Sequence, residues 1–412
     1  MSSSHSVSRI AGRPATQRPL RVLHLIDSLG HGGAEHQLSL LVRSFDPTAV
    51  DSYVCHIYPD AVLASEIKAA GVPVVALSTK PGRAALPRAT ARLIAIARAF
   101  EPDVIHTSLF DSDVLGGAVG NLLAIPVVTT LCSIWGQEQA SNGVSRSLQL
   151  TASSAIWRAT LRRAHTVIAI SSAVRANAHA VFGLSPDRIP VIYRAIADTP
   201  GSSPPPATVR SQLGIAASQP VFLNVGRLVP SKGQIHLIRA MKSVLTALPN
   251  AMLLLAGEGW HRKALEDEIR ALGIGQHVTL LGERHDIMSL VTMADVFVFP
   301  SLSEGLGVAL LEAAGQGAAC ITTDIPPMTE IIDNEVSGLC VPPADPGALA
   351  AAMIRLGASP SLAAQFGREV AHRASLRFSL PAIVTAVEGV YESAAASSAR
   401  RAPASRRDGK LN

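Results

Sequence analysis

Apolar residues in this chain fall into two recurring patterns. Short, nearly unbroken apolar runs occur at 20–26, 52–57, 72–76, 103–106, 126–131, 166–170 and 189–193, and again at 220–225, 251–256, 278–281, 294–299, 318–322 and 338–341. Between them lie longer stretches with apolar residues at helical spacing, among them 36–45, 61–70, 87–100, 111–123, 147–165, 232–248, 262–272, 286–293 and 380–393. A strand without polar alternation is covered on both faces, and strands that alternate with helices are joined by crossovers. The pattern therefore predicts parallel sheets sandwiched between helices. Ser171-Ser172 after the run at 166–170 supplies a helix N-cap.

The alternation breaks at 196–219, where G-S-S-P-P-P occupies 201–206. Prolines make such a segment a semi-rigid linker. The expected organisation is a basic disordered lead at 1–19, a first domain at 20–198, a linker at 199–219, a second domain at 220–378, a helix at 379–396 packing back toward the first domain, and a basic disordered tail at 397–412. The fold class is α/β, with two doubly wound Rossmann-like domains facing a central cleft. Open parallel sheets bind ligands outside their strand C-termini, so the cleft is where chemistry is expected.

Composition narrows the class. The 412 residues are 48% hydrophobic and 16% charged, which suits a globular α/β protein with two cores. No apolar run reaches the length of a membrane span. Cys55, Cys132, Cys320 and Cys340 are far apart and form no C-x-x-C, so buried free thiols in a reducing cytoplasm are expected. The net charge of +5 resides in the two ends: residues 1–21 carry four Arg and no acid, and 393–412 carry four Arg and one Lys against Asp408. The body between them is slightly acidic. Solubilising tails are the plain reading; a weak contact with anionic lipid is the sharper one. The acidic body and the 4% aromatic content argue against a nucleic-acid binder, so no nucleic-acid partner is expected. The first 20 residues lack the apolar core of a secretory signal.

Three turns carry candidate chemistry. After the run at 294–299 the chain reads S-L-S-E-G-L-G-V-A-L-L-E-A-A-G-Q-G over 301–317. Gly305 and Gly307 lack side chains where the chain enters a helix, so backbone N–H groups there can approach an anion. Glu304 and Glu312 would repel a phosphate and so address uncharged hydroxyls, such as those of a sugar. The turn after the run at 220–225 reads G-R-L-V-P-S-K-G and offers Arg227 and Lys232 at a strand end, cations suited to phosphate. The first strand runs into D-S-L-G-H-G-G-A-E at 27–35, a phosphate-binding type of opening in which Glu35 takes the place of the third glycine of the dinucleotide fingerprint.

These motifs, in this order, resemble the family 4 glycosyltransferases, which have the GT-B fold. The resemblance covers roughly residues 20 to 395 and rests on the E-x7-E of Glu304 and Glu312, the G-R-L-x-x-x-K-G turn, and the G-G-x-E start. It implies that Arg227 and Lys232 hold the diphosphate of a UDP- or GDP-sugar, that Glu312 binds the ribose, and that Glu304 contacts the transferred sugar. Gly257, Gly259 and the turn at Glu283-Arg284 would line the nucleotide pocket; Gly32 and Gly33 would lie over the donor phosphates or the acceptor. It further implies transfer with retained anomeric configuration, no metal or other cofactor, and a carbohydrate or lipid-linked acceptor of cell-surface polysaccharide or glycolipid synthesis. The protein would be cytoplasmic or peripheral at the inner face of the membrane.

One position departs from the family. Where the family often carries H-x-H, this chain reads D-V-I-H-T-S-L-F-D, so His106 matches the first histidine and Ser108 replaces the second. Two readings of His106 stay open, a catalytic group and a packed structural residue; His24 and His31 are weaker candidates. Asp111 and Asp113 spell D-x-D, the metal motif of the other large glycosyltransferase fold, against which stand the two-domain plan and the E-x7-E. A sugar-nucleotide epimerase or a phosphorylase on the same architecture is the alternative enzyme, and a non-enzymatic nucleic-acid binder the alternative of another class.

Overall fold

The computed structural model describes residues 18–30, 32–136, 148–196 and 205–401. His31 and most of the basic lead and tail lie outside them. The first sheet is built from β1 (Leu20–Ile26), β2 (Val50–His56), β3 (Val74–Ala76), β4 (Val104–Ser108), β5 (Val127–Leu131) and β6 (Thr166–Ala169). The second is built from β7 (Val221–Val225), β8 (Met252–Ala256), β9 (Val278–Gly282), β10 (Val296–Phe299), β11 (Cys320–Thr323) and β12 (Leu339–Val341). Their orders are β3-β2-β1-β4-β5-β6 and β12-β11-β10-β7-β8-β9. Every pairing between named strands is parallel. In both sheets the order reverses beside the first strand of the domain, and that edge is where a doubly wound sheet opens toward a ligand.

The strands are apolar throughout because both faces are covered. Val22, Leu23, Leu25 and Ile26 of β1, and Val221, Phe222 and Leu223 of β7, are buried. Most helices begin or end on local signals. Ser171 accepts a hydrogen bond from the Val174 amide and starts the helix Ser172–Phe182, and Gly183, in the left-handed region, ends it.

Two expected elements are corrected. The run at 189–193 is not a strand; only one bridge, between Ala169 and Val191, attaches it to the first sheet. The linker contains a helix, Pro206–Gln212, that begins on its own prolines. Proline fits the first helical turn, where its missing N–H costs nothing, so a proline cluster can start a helix as well as extend a chain. Its own Val209 is buried, and Arg210 binds the Met293 carbonyl at 3.2 Å, the Gln219 carbonyl at 3.0 Å and the Asp295 carboxylate at 2.8 Å. The cysteines are also less uniform than expected: Cys55 and Cys320 are buried, whereas Cys132 and Cys340 are partly exposed.

The two sheets share one apolar cluster in which Ile170 and Val174 of the first domain join Leu306, Met328 and Ile331 of the second. Polar contacts fix the same seam. Glu330 accepts from the Ser172 amide at 3.0 Å and the Ala173 amide at 3.2 Å, so a second-domain carboxylate caps a first-domain helix. Tyr193 donates to the same carboxylate at 2.9 Å, and Arg377 lies 4.6 Å over the Tyr193 ring. The last helix, Leu380–Arg401, crosses back and buries Val387, Tyr391 and Ala394 in the core of the first domain. Among the described residues no single helix is long and apolar enough to cross a membrane.

Candidate active site

The C-terminal ends of β7, β8, β9 and β10 are followed by turns that pack backbone against backbone. The Gly226 amide donates to the Ala256 carbonyl at 3.0 Å, Leu228 to Glu258 at 2.9 Å, Gly257 to Gly282 at 2.8 Å, and Leu302 to Ser231 at 2.8 Å. Such an approach leaves no room for side chains. A Cβ on Gly257, whose φ is +139°, would run into the Gly226 carbonyl, and one on Gly259 into the Leu228 carbonyl. The two glycines of A-G-E-G are thus required by the fit of one turn on another.

This packing brings the basic turn onto the acidic one. Lys232 closes the short 3-10 turn Pro230–Lys232, and its ammonium is paired with the Glu304 carboxylate. Ser301, fully buried, donates from Oγ to the same Glu304 oxygen at 2.8 Å. The Lys232 ammonium also lies 5.8 Å over the Phe299 ring. Arg227 is exposed at the mouth of the turn, and its carbonyl is held by Gln234 Nε2 at 3.0 Å. Arg284, from the turn after β9, is engaged by Asp286 through bonds of 2.8 and 2.6 Å.

Glu312 sits on the helix Val308–Gly315, which Gly307 opens with φ +85°. Burial pushes its carboxyl up to about 7, and among the described residues no hydrogen bond holds it. A half-neutralised carboxylate without a partner is ready to accept from hydroxyl donors.

Gly305 also serves the seam between the domains. A Cβ there would collide with the Cys132 carbonyl at the end of β5, and the Gly305 carbonyl accepts from Ser171 Oγ at 2.6 Å. Its missing side chain lets the two domains touch. Gly33 does the same opposite Val308, at 3.3 Å for a Cβ. Gly32 is covered by the Glu35 carboxylate, which folds back over it, so a carboxylate already faces this helix start.

On the first-domain side the structure gives His106 the packed place, one of the two readings left open for it. The ring is buried, with Nδ1 bonded to Tyr391 Oη at 2.6 Å and Nε2 to Thr130 Oγ1 at 2.8 Å. Burial, with Arg194 adding to it, lowers its pKa to about 3, so it stays neutral and packed under the last helix. His24, its neighbour across β1 and β4, is buried as well. The D-x-D carboxylates diverge. Asp111 accepts from Tyr58 Oη at 2.6 Å and Arg83 Nε at 3.0 Å, while Asp113 is buried on Thr107 Oγ1 at 2.7 Å and Trp157 Nε1 at 2.9 Å. Asp27, missed from sequence, directly follows β1, accepts from the Ser112 amide at 2.8 Å, and is raised by burial to about 6. Its place directly after an apolar strand in D-S-L-G was the available signal.

Comparison with known proteins agrees with this architecture. The family described as Glycosyltransferase Family 4 matches residues 31–199, and the family described as Glycosyl transferases group 1 matches 207–373. An uncharacterized glycosyltransferase of Methanocaldococcus jannaschii is 31% identical over 254 residues, 60% of this chain and 64% of that protein. The alpha-maltose-1-phosphate synthase of Mycolicibacterium smegmatis is 27% identical over 337 residues, 76% of this chain and 84% of that enzyme. Among solved structures, Anabaena HepE in complex with UDP-glucose superposes with a TM-score of 0.79 at 23% identity, covering 91% of this chain and 100% of that one. WaaG, a glycosyltransferase involved in lipopolysaccharide biosynthesis, superposes with a TM-score of 0.71 at 16% identity, covering 90% of this chain and 99% of that one. The structures establish the fold as GT-B, and with the two family matches spanning most of its length the chain belongs to the family 4 glycosyltransferases.

Proposed function

We propose that this glycosyltransferase moves a hexosyl group from a UDP- or GDP-sugar to an acceptor hydroxyl, with retained configuration and without a metal ion. The observation that carries the proposal is the meeting of the Arg227–Lys232 turn with the Glu304 turn, on the chain segment that leads to the unpartnered Glu312. A diphosphate leaving group needs fixed positive charge, which Arg227 and Lys232 supply. Glu312 accepts from the ribose hydroxyls, and Glu304 orients the sugar. The bond from the anomeric carbon to the phosphate oxygen breaks on the face where the acceptor oxygen bonds, and that phosphate oxygen takes the acceptor proton.

Support comes from both sides of the cleft. HepE is solved with UDP-glucose, which favours a nucleotide-sugar donor here as well. Asp111 and Asp113 face separate partners, so they do not form a bidentate ion site as they stand. The acceptor is a carbohydrate or lipid-linked hydroxyl of cell-surface polysaccharide or glycolipid synthesis, met at the anionic cytoplasmic face of a membrane. WaaG, with its part in lipopolysaccharide synthesis, favours that setting.

The test joins binding and chelation. Arg227→Ala and Lys232→Ala should each weaken UDP or GDP binding by about tenfold or more, the scale of a charge-assisted contact, while the fold survives. Glycosyl transfer should persist in excess EDTA. Unchanged nucleotide affinity in both variants, or activity lost to EDTA and regained with manganese, rejects the proposal.

A further inference from the structure

Lys232 has one ammonium and two anionic claimants. Glu304 already holds it, through an oxygen that Ser301 Oγ also contacts at 2.8 Å. The pair is shielded, with side-chain exposures of 18% for Lys232 and 11% for Glu304. A diphosphate that recruits this ammonium must take it from Glu304, and it then lies beside a carboxylate that repels it. A nucleotide sugar brings compensation, because its hydroxyls can donate to Glu304 when the carboxylate turns from Lys232. A nucleoside diphosphate brings none.

We propose that Glu304 is a specificity-determining residue that competes with the diphosphate for Lys232, so that the site favours the sugar-bearing donor over its nucleoside diphosphate product and expels that product once the sugar has left. This inference rests on the donor class proposed above. It gives the Lys232–Glu304 pair a role in each turnover: the incoming sugar releases Glu304 from Lys232, and departure of the sugar lets Glu304 reclaim it. Ser301 keeps the Glu304 carboxylate within reach of Lys232 throughout.

Calorimetric titration of UDP and GDP into the wild type, Glu304→Gln, Lys232→Ala and the double variant tests it. Whichever diphosphate binds the wild type should bind Glu304→Gln about three- to tenfold tighter, the range of a partly shielded ion pair. The gain should disappear in the Lys232→Ala background, since the competition is for that ammonium. The matching nucleotide sugar should lose its preference over the diphosphate in Glu304→Gln. Glu304→Ala, measured alongside, covers failure of the first variant to fold. Equal or weaker diphosphate binding in the Glu304 variants, or the same gain without Lys232, overturns the inference while leaving the donor class intact. No binding of either diphosphate or of its nucleotide sugar to the wild type or to Glu304→Gln overturns the donor class, and the inference with it.

Discussion

Glu312 is a carboxylate whose environment opposes its charge, and that sets a pH dependence. Its pKa is raised from the ordinary 4.5 to about 7 by burial alone. A ribose hydroxyl donates best to the ionised form, so donor KM should fall as pH rises through about 7, and Glu312→Gln should abolish that dependence while keeping KM high. The sign for stability is opposite. A raised carboxyl pKa means the folded state binds the proton more tightly than the unfolded one, so stability falls as pH climbs from 4.5 to about 7. Glu312→Gln should therefore melt higher than wild type at pH 8 by the equivalent of about 3 kcal/mol at most, and the two should coincide near pH 4.5. Steady-state kinetics and thermal melts across that range check both halves; a pH-independent donor KM in the wild type rejects the assignment. The meeting of the Lys232 turn with the Glu304 turn was legible because both turns follow apolar strands in the sequence. The place of His106 was not, because its partner Tyr391 lies 285 residues away and only the fold brings them together. Glu330 was equally hidden: nothing beside it in sequence says that it caps a helix of the other domain.

At the scale of elements, twelve of the thirteen apolar runs became strands with bounds moved by at most two residues, since a strand covered on both faces needs nothing but apolar side chains, and the run at 189–193 did not. The errors lie where one local signal serves two structures. Proline suits an extended linker and a first helical turn alike, and the helix Pro206–Gln212 took the second option. That helix is tied to the second domain through buried Val209 and through Arg210, whose side chain is 13% exposed and spans Met293, Gln219 and Asp295. Arg210→Met preserves much of the stem but orphans those acceptors, and should cost about 1–3 kcal/mol in urea unfolding. A change below about 0.5 kcal/mol, the range of a neutral surface substitution, would mean that the connection is held by apolar packing instead. Glycines were likewise ambiguous. Gly305 was read for its backbone N–H alone, and its missing side chain also makes room for the Cys132 carbonyl of the other domain.

For the whole molecule, charge is distributed unevenly over the described surface. Residues 67–100 carry six basic side chains and no acidic one, and Arg88, Arg92 and Arg98 are exposed along the helix Leu86–Phe100. The membrane setting proposed above predicts that this stretch of the first domain adds to the basic ends in binding an anionic surface. Co-sedimentation with phosphatidylglycerol vesicles should exceed that with phosphatidylcholine vesicles. Arg88→Ala and Arg92→Ala should each reduce it about fivefold at low salt, as expected for about 1 kcal/mol per basic residue near such a surface. Equal binding to neutral vesicles, or no effect of either variant, removes membrane contact from the proposal.

The return of the helix Leu380–Arg401 to the first domain has a consequence for biosynthesis. Residues 205–379 must leave the ribosome before Val387, Tyr391 and Ala394 can fill the first core. At about 5–20 residues per second, that core waits roughly 10–40 seconds after its own sheet has been translated. During this interval the bed of Tyr391, formed by Phe45, His24 and His106, is left unfilled. The two halves of the enzyme are thus not independent folding units made in series. The first is completed only when the second has been synthesised, which couples maturation of the first domain to that of the second.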